Sequence, residues 1–174
     1  MFKANAKYGI VLFAVLLLAV YLDGRRRGDL RAIAGSVWSA IATLLALGIG
    51  QLVGAAIDRA RPYDAMAGVH VLVDRTTDFS FPSDHATAVG AVAAGLWFAN
   101  RRWGIIATFL ALWMAFTRVY VGAHYLSDVV AGLVLGAAVA TAGQAVIVPA
   151  LTRTARRLSH SRFDQLVVAT RRPA

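Results

Sequence analysis

The chain has 174 residues, 59% of them apolar types and 16% charged, against roughly 25% charged in an average soluble domain. That length suits one domain, and the composition points to a bilayer as the main solvent. There are no cysteines, which excludes a disulfide framework and a thiolate metal site. Basic residues outnumber acidic ones by 18 to 9. They gather between apolar runs without interleaved aromatics, the pattern of membrane-flanking loops and not of a nucleic-acid surface.

Five apolar runs approach the about 20 residues that cross a ~30 Å hydrocarbon core. They cover residues 8–22, 33–57, 85–100, 103–116 and 129–151. The first lacks a small-residue cleavage site and is followed by Asp23-Gly24-Arg25-Arg26-Arg27. It therefore reads as a membrane helix with a stop-transfer flank, not as a cleaved signal peptide. Five crossings predict an all-α integral membrane bundle, with residues 1–151 as its single domain.

With five crossings, Arg25, Arg26, Arg27 and Arg31 share a side with Arg101, Arg102 and the six tail residues Arg153, Arg156, Arg157, Arg162, Arg171 and Arg172. The other side holds Lys3, Lys7, Arg59, Arg61, Arg75 and Arg118. The positive-inside rule makes the first side cytoplasmic, so the N-terminus is expected outside and the C-terminus inside. Residues 152–174 are basic and partly amphipathic, which predicts a solvated or membrane-surface cytoplasmic tail. Gly50/Gly54 and Gly132/Gly136 are spaced for close helix contact, a weak signal in so Ala- and Gly-rich a chain.

Three polar clusters interrupt the apolar pattern: residues 58–63, 80–85 and 117–128. The five-span arrangement puts all three on the outer face, which predicts one composite site. Arg61, Arg118 and Arg59 offer planar donor forks that match phosphate oxygens. Ser83 follows Pro82 at an expected helix start, where free N–H groups favour an anion. His85 and His124 supply one group for attack and one for proton delivery. If His124 and Asp128 are both helical they share a face, and Asp128 steadies the imidazole; if Ser127 caps the helix instead, that contact needs a turn. The plainer readings are interfacial anchoring for Arg59 and Arg61 and structural roles for His70 and His160. No His-x-x-x-His or Glu-bearing ligand pattern occurs, so neither metal nor cofactor is expected.

At these residues the sequence resembles the type 2 phosphatidic acid phosphatase superfamily. Its signature is Lys-x6-Arg-Pro, Pro-Ser-Gly-His and Ser-Arg-x5-His-x3-Asp. Here it reads as Arg61-Pro62, as Pro82-Ser83-Asp84-His85, and as Thr117-Arg118 with His124 and Asp128. The match covers residues 33–151. The resemblance implies a helical-bundle core open sideways to lipids and a metal-independent lipid phosphatase. It also implies roles: His124 as nucleophile forming a phosphohistidine, Asp128 orienting it, and His85 protonating the leaving group. Arg61, Ser83 and Arg118 would bind the phosphoryl oxygens. The family lysine falls at Gly54, and Arg59 is the expected substitute. Asp84 replaces glycine, and Ser80-Phe81-Pro82-Ser83-Asp84-His85 looks like the bacitracin-resistance branch, which dephosphorylates undecaprenyl diphosphate to recycle the cell-wall lipid carrier.

The resemblance thus implies a cell-membrane enzyme acting on a polyprenyl diphosphate or other lipid phosphate, with its site facing outward. Phosphatidic acid or phosphatidylglycerol phosphate is the alternative substrate. Soluble vanadium haloperoxidases share the site type, and five apolar spans argue against them. A lipid-binding or transport protein with a decayed site is the non-enzyme alternative, supported by the absent lysine.

Overall fold

The computed structural model describes residues 2–160 and 163–167, with side chains from residue 9 onward. Helix α1 spans Phe2–Arg27, α2 Leu30–Ile57, the single turn α3 Pro62–Ala65, α4 Asp84–Ala99, α5 Arg101–Tyr120, α6 Leu126–Gln144 and α7 Ile147–Leu158. A 3-10 turn follows at Asp164–Leu166, and no strand occurs among the described residues. The expected positions of Lys3, Lys7, Arg162, Arg171 and Arg172 lie outside the described side chains.

Local chemistry sets the boundaries. Gly28 takes a positive φ of 68° between α1 and α2, and Asp29 then caps α2 by accepting N–H bonds from Arg31 at 3.1 Å and Ala32 at 3.0 Å. Asn100 does the same for α5 through Arg102 N–H at 3.1 Å. α2 stops where Asp58 turns left-handed at φ 48°, and Pro62 restarts the chain as the first residue of α3.

α4 is the centre of the bundle, packed against α1, α2, α5 and α6. Its small residues permit this. A methyl group on Gly90 would sit 2.6 Å from the Leu133 carbonyl oxygen, and one on Gly95 would strike Ser39. From the other side, Gly132 and Gly136 of α6 lie against the backbone of Ser83 and Thr87. The Gly132/Gly136 spacing is therefore a real helix contact. Gly50 and Gly54 instead face Pro82 and Phe81 of the loop before α4. Large apolar side chains point outward: Leu44, Leu52 and Phe109 are each more than 70% exposed. Small residues inside and large apolar ones outside suit lipid, where nothing apolar needs hiding.

Among the described residues, three helical stretches are long and apolar enough to cross a membrane: Leu30–Ala65, Arg101–Tyr120 and Leu126–Gln144. α4, at 16 residues, rises about 24 Å. One expectation is corrected. The run 129–151 is not one helix, because α6 ends at Gln144 and α7 begins at Ile147. Pro149 explains the break: without an N–H it cannot bond back to residue 145, but it is tolerated in the first turn of a new helix. α7 then packs against α2 and α6, burying Val148 and Ala155 and keeping Arg153, Arg156 and Arg157 exposed. The basic segment that begins at residue 152 thus starts inside a helix.

Candidate active site

The three polar clusters meet at one end of the bundle, after α2, before α4 and between α5 and α6. Backbone bonds tie them together. Ser80 N–H donates to the Arg59 carbonyl at 2.9 Å, and Ser83 N–H donates to the Asp128 carbonyl at 3.1 Å. The loop of residues 66–79 folds over this end. Leu72 N–H donates to the Val121 carbonyl at 3.0 Å, and the Tyr63 hydroxyl bonds both N–H and C=O of Thr76.

His124 precedes α6, whose cap is Tyr125, so the His124–Asp128 pair does not share a helical face. The buried imidazole is 2.8 Å from the Ser80 carbonyl oxygen through Nδ1. A carbonyl only accepts, so Nδ1 carries the proton and Nε2 carries the lone pair. Nε2 lies 3.1 Å from Nη1 of Arg61. Burial is the chief reason the His124 pKa sits below its ordinary value, with Asp128 opposing and Arg61 reinforcing that shift. That direction favours the neutral ring.

Asp128 is wholly buried and 3.8 Å from His124 Nδ1, too far for a direct hydrogen bond. It acts through neighbours. Its carboxylate accepts from the Ser80 hydroxyl at 2.5 Å, from Tyr125 N–H at 3.0 Å and from Arg59 Nη1 at 2.8 Å. Arg59 also donates to the Ser127 hydroxyl at 2.8 Å and lies 4.0 Å over the Tyr125 ring. The residue expected to replace the family lysine is thus committed to Asp128.

Arg61 is 6% exposed. It donates to the carbonyl oxygens of Asp78, Phe79 and Ala123 and to the Asp78 carboxylate at 3.0 Å. Burial alone would raise the Asp78 pKa; the Thr76 hydrogen bond and the Arg61 charge outweigh it and hold the carboxyl below its ordinary value. Arg118, in the last turn of α5, is buried. His85 lies in the first turn of α4, within electrostatic reach of Arg118, His124 and Arg61. Ser83 caps α4 without using its hydroxyl, and its buried Oγ has no hydrogen-bond partner among the described residues.

The spacing did not reveal Asp78 or the double role of Ser80. It also did not reveal Gln51, whose amide donates to both Asp84 carboxylate oxygens at 2.9 and 3.0 Å and so links α2 to α4 beside His85. At Gly54, a methyl group would sit 2.9 Å from the Phe81 carbonyl oxygen. The loop before α4 occupies the space a lysine there would need.

The PAP2 superfamily model matches residues 35–149. Undecaprenyl-diphosphatase BcrC of Bacillus subtilis is 33% identical over 129 residues, 74% of this chain and 64% of that protein. Decaprenylphosphoryl-5-phosphoribose phosphatase of Mycobacterium tuberculosis is 36% identical over 129 residues, 74% and 66% of the two chains. Lipid A 1-phosphatase of Rhizobium johnstonii is 41% identical over 93 residues, 51% and 38%. The matched stretch spans less than two thirds of each of these relatives. No solved structure matches. From the family match across residues 35–149, the chain belongs to the PAP2 superfamily.

Proposed function

We propose that this protein removes the terminal phosphate of a polyprenyl diphosphate of the undecaprenyl type through a phosphohistidine at His124. The observation that carries this reading is the hydrogen bond from His124 Nδ1 to the Ser80 carbonyl, which leaves the Nε2 lone pair facing Arg61. A neutral imidazole fixed in that tautomer is a ready nucleophile.

The chemistry balances as two displacements at phosphorus. Nε2 attacks the terminal phosphoryl group, the bond to the bridging oxygen breaks, and His85 gives that oxygen its proton. Water then attacks the phosphohistidine, His85 takes the proton back, and phosphate leaves with His124 restored. Arg61, Arg118 and the Ser83 hydroxyl hold the phosphoryl oxygens as charge builds, beside the free N–H groups at the start of α4. Arg59 and Ser80 hold Asp128, whose charge stabilises the imidazole. No step calls for a metal.

Helices α1, α2, α4, α5 and α6 serve as five crossings in this reading, with the site on the extracytoplasmic face and the arginine-rich end in the cytoplasm. Two relatives support a polyprenyl substrate: the Bacillus subtilis and Mycobacterium tuberculosis phosphatases are both named for polyprenyl compounds. The second of them favours an alternative, a phosphate carried on a polyprenyl-linked pentose. Phosphatidic acid and phosphatidylglycerol phosphate are the glycerophospholipid alternatives.

The test is phosphate release by the purified protein in detergent and chelator, beside His124→Ala. Undecaprenyl diphosphate, decaprenylphosphoryl-5-phosphoribose, phosphatidic acid and phosphatidylglycerol phosphate are compared. Preference for the diphosphate, lost in the variant by roughly a thousandfold or more, is the expected result. Preference for another lipid keeps the mechanism and moves the substrate. No release from any of them, by a folded protein, returns the chain to a lipid-binding role with a decayed site.

A further inference from the structure

The end of the bundle opposite the histidines holds a cavity of about 550 Å³ where α7 meets α2 and the end of α6. Arg31 of α2 and Arg153 and Arg156 of α7 face it, with Gln144, Val148 and Pro149 among its walls. No carboxylate lines it, and none of the three arginines has an ion pair among the described residues. Three guanidinium groups brought to one cavity repel one another unless an anion lies between them. A neighbouring cavity of about 620 Å³ at the same end provides the contrast. There Asp23 pairs with Arg27 at 2.9 Å, so part of the charge is already balanced.

A further feature narrows the anion. Val148 and Pro149 make one wall apolar, and α7 is an amphipathic surface helix, so the ligand carries hydrocarbon as well as charge. We propose that this cavity binds the head group of an anionic phospholipid. Its phosphate lies among Arg31, Arg153 and Arg156, and the acyl chains leave past Val148 and Pro149. Basic pockets beside membrane helices are suited to such head groups. The site is remote from His124 and does not depend on the phosphatase chemistry.

The test uses the full chain in detergent, with lipid binding read by native mass spectrometry and by thermal shift. Phosphatidylglycerol, phosphatidylserine and phosphatidylcholine of matched chains are titrated, together with inorganic phosphate. Phosphatidylglycerol and phosphatidylserine are expected to bind more tightly than phosphatidylcholine, and the combined Arg31→Gln, Arg153→Gln and Arg156→Gln variant is expected to weaken both by roughly tenfold or more. If the triple variant does not accumulate, Arg31→Gln and Arg153→Gln alone each have to weaken binding. Equal binding of phosphatidylcholine, or unchanged binding in the arginine variants, overturns the proposal. Stabilisation by inorganic phosphate equal to that by the lipid makes it a free-anion site and overturns the lipid as occupant.

Discussion

Arginine dominates both ends of this bundle, yet the two ends use it in opposite ways. Around His124, Arg61 and Arg118 are buried, and Arg59 and Arg61 are tied to Asp128 and Asp78. At the other end, Arg26, Arg31, Arg102, Arg153, Arg156 and Arg157 are exposed. A buried guanidinium is tolerable only when partners hold it in one place, so burial converts charge into geometry. An exposed arginine keeps its water and fixes no neighbour; summed over a loop it biases which side of the membrane the loop occupies. On the proposed reading, one end serves chemistry and the other orientation and lipid contact.

The strongest way to break this comparison is Arg61→Ala. Two carbonyl-bonded loops, the Asp78 pair and the His124 contact all lose their shared donor. A fall in kcat/KM of about a hundredfold to a thousandfold is expected, the scale of losing a transition-state donor, and Arg61→Lys should recover little of it because the fork is lost. A variant within tenfold of wild type would mean that Arg61 is structural only.

Asp128→Asn sharpens the point, because it tests a charge acting through neighbours. Loss of one or two charge-assisted bonds predicts a fall of roughly tenfold to a hundredfold. The pH profile separates the cause. In the proposed mechanism His124 attacks only when neutral, so activity is expected to fail as pH drops through its pKa. Burial lowers that pKa, and Asp128 opposes the lowering. Without the Asp128 charge the pKa falls further, and the acidic limb of kcat/KM moves to lower pH. An unmoved limb would show that Asp128 holds the loop and does not act on the imidazole charge.

How much of this was legible in the sequence follows from what kind of contact each residue makes. The side chains with distinctive chemistry, Arg61, His85, Arg118 and His124, stood at readable spacings, and the structure brings their segments to one end. The hydrogen bond that sets the His124 tautomer goes to the Ser80 carbonyl, a group that every residue possesses and no pattern can mark. Asp78 meets Arg61 only because the loop of residues 66–79 folds back over the site. The helix runs were readable from hydropathy. The division of the last one was missed, because an apolar window weighs Pro149 as it weighs any other residue.

Gly54→Lys would restore the family's missing cation, and the structure predicts that it fails. The added side chain has to displace the Phe79–Phe81 loop, whose carbonyl lies 2.9 Å from the Cβ position. That loop leads into Ser83 and His85. Phosphatase activity is expected to fall severalfold, and a rise above wild type would show that the loop yields and the lysine site is still usable.

The smallest effects come from a glycine pair that compares packed and unpacked positions. A methyl group on Gly136 would strike the Thr87 carbonyl oxygen and lie 2.6 Å from Ala91 N. Both atoms belong to the α4 backbone, so the helix has to move. Overpacking of that kind costs about 1–3 kcal/mol, while the better helix propensity of alanine returns up to about 1 kcal/mol. A net loss of about 1–2 kcal/mol is therefore expected for Gly136→Ala, read as a lower Tm, with some loss of rate because α4 carries His85. Gly48 lies in α2 with nothing within 4 Å of the same position, so Gly48→Ala should leave Tm unchanged or slightly higher and the rate untouched. If the two variants behave alike, the close α4–α6 seam does not hold the catalytic end in place, and the rigidity ascribed to that end has to come from its buried charges alone.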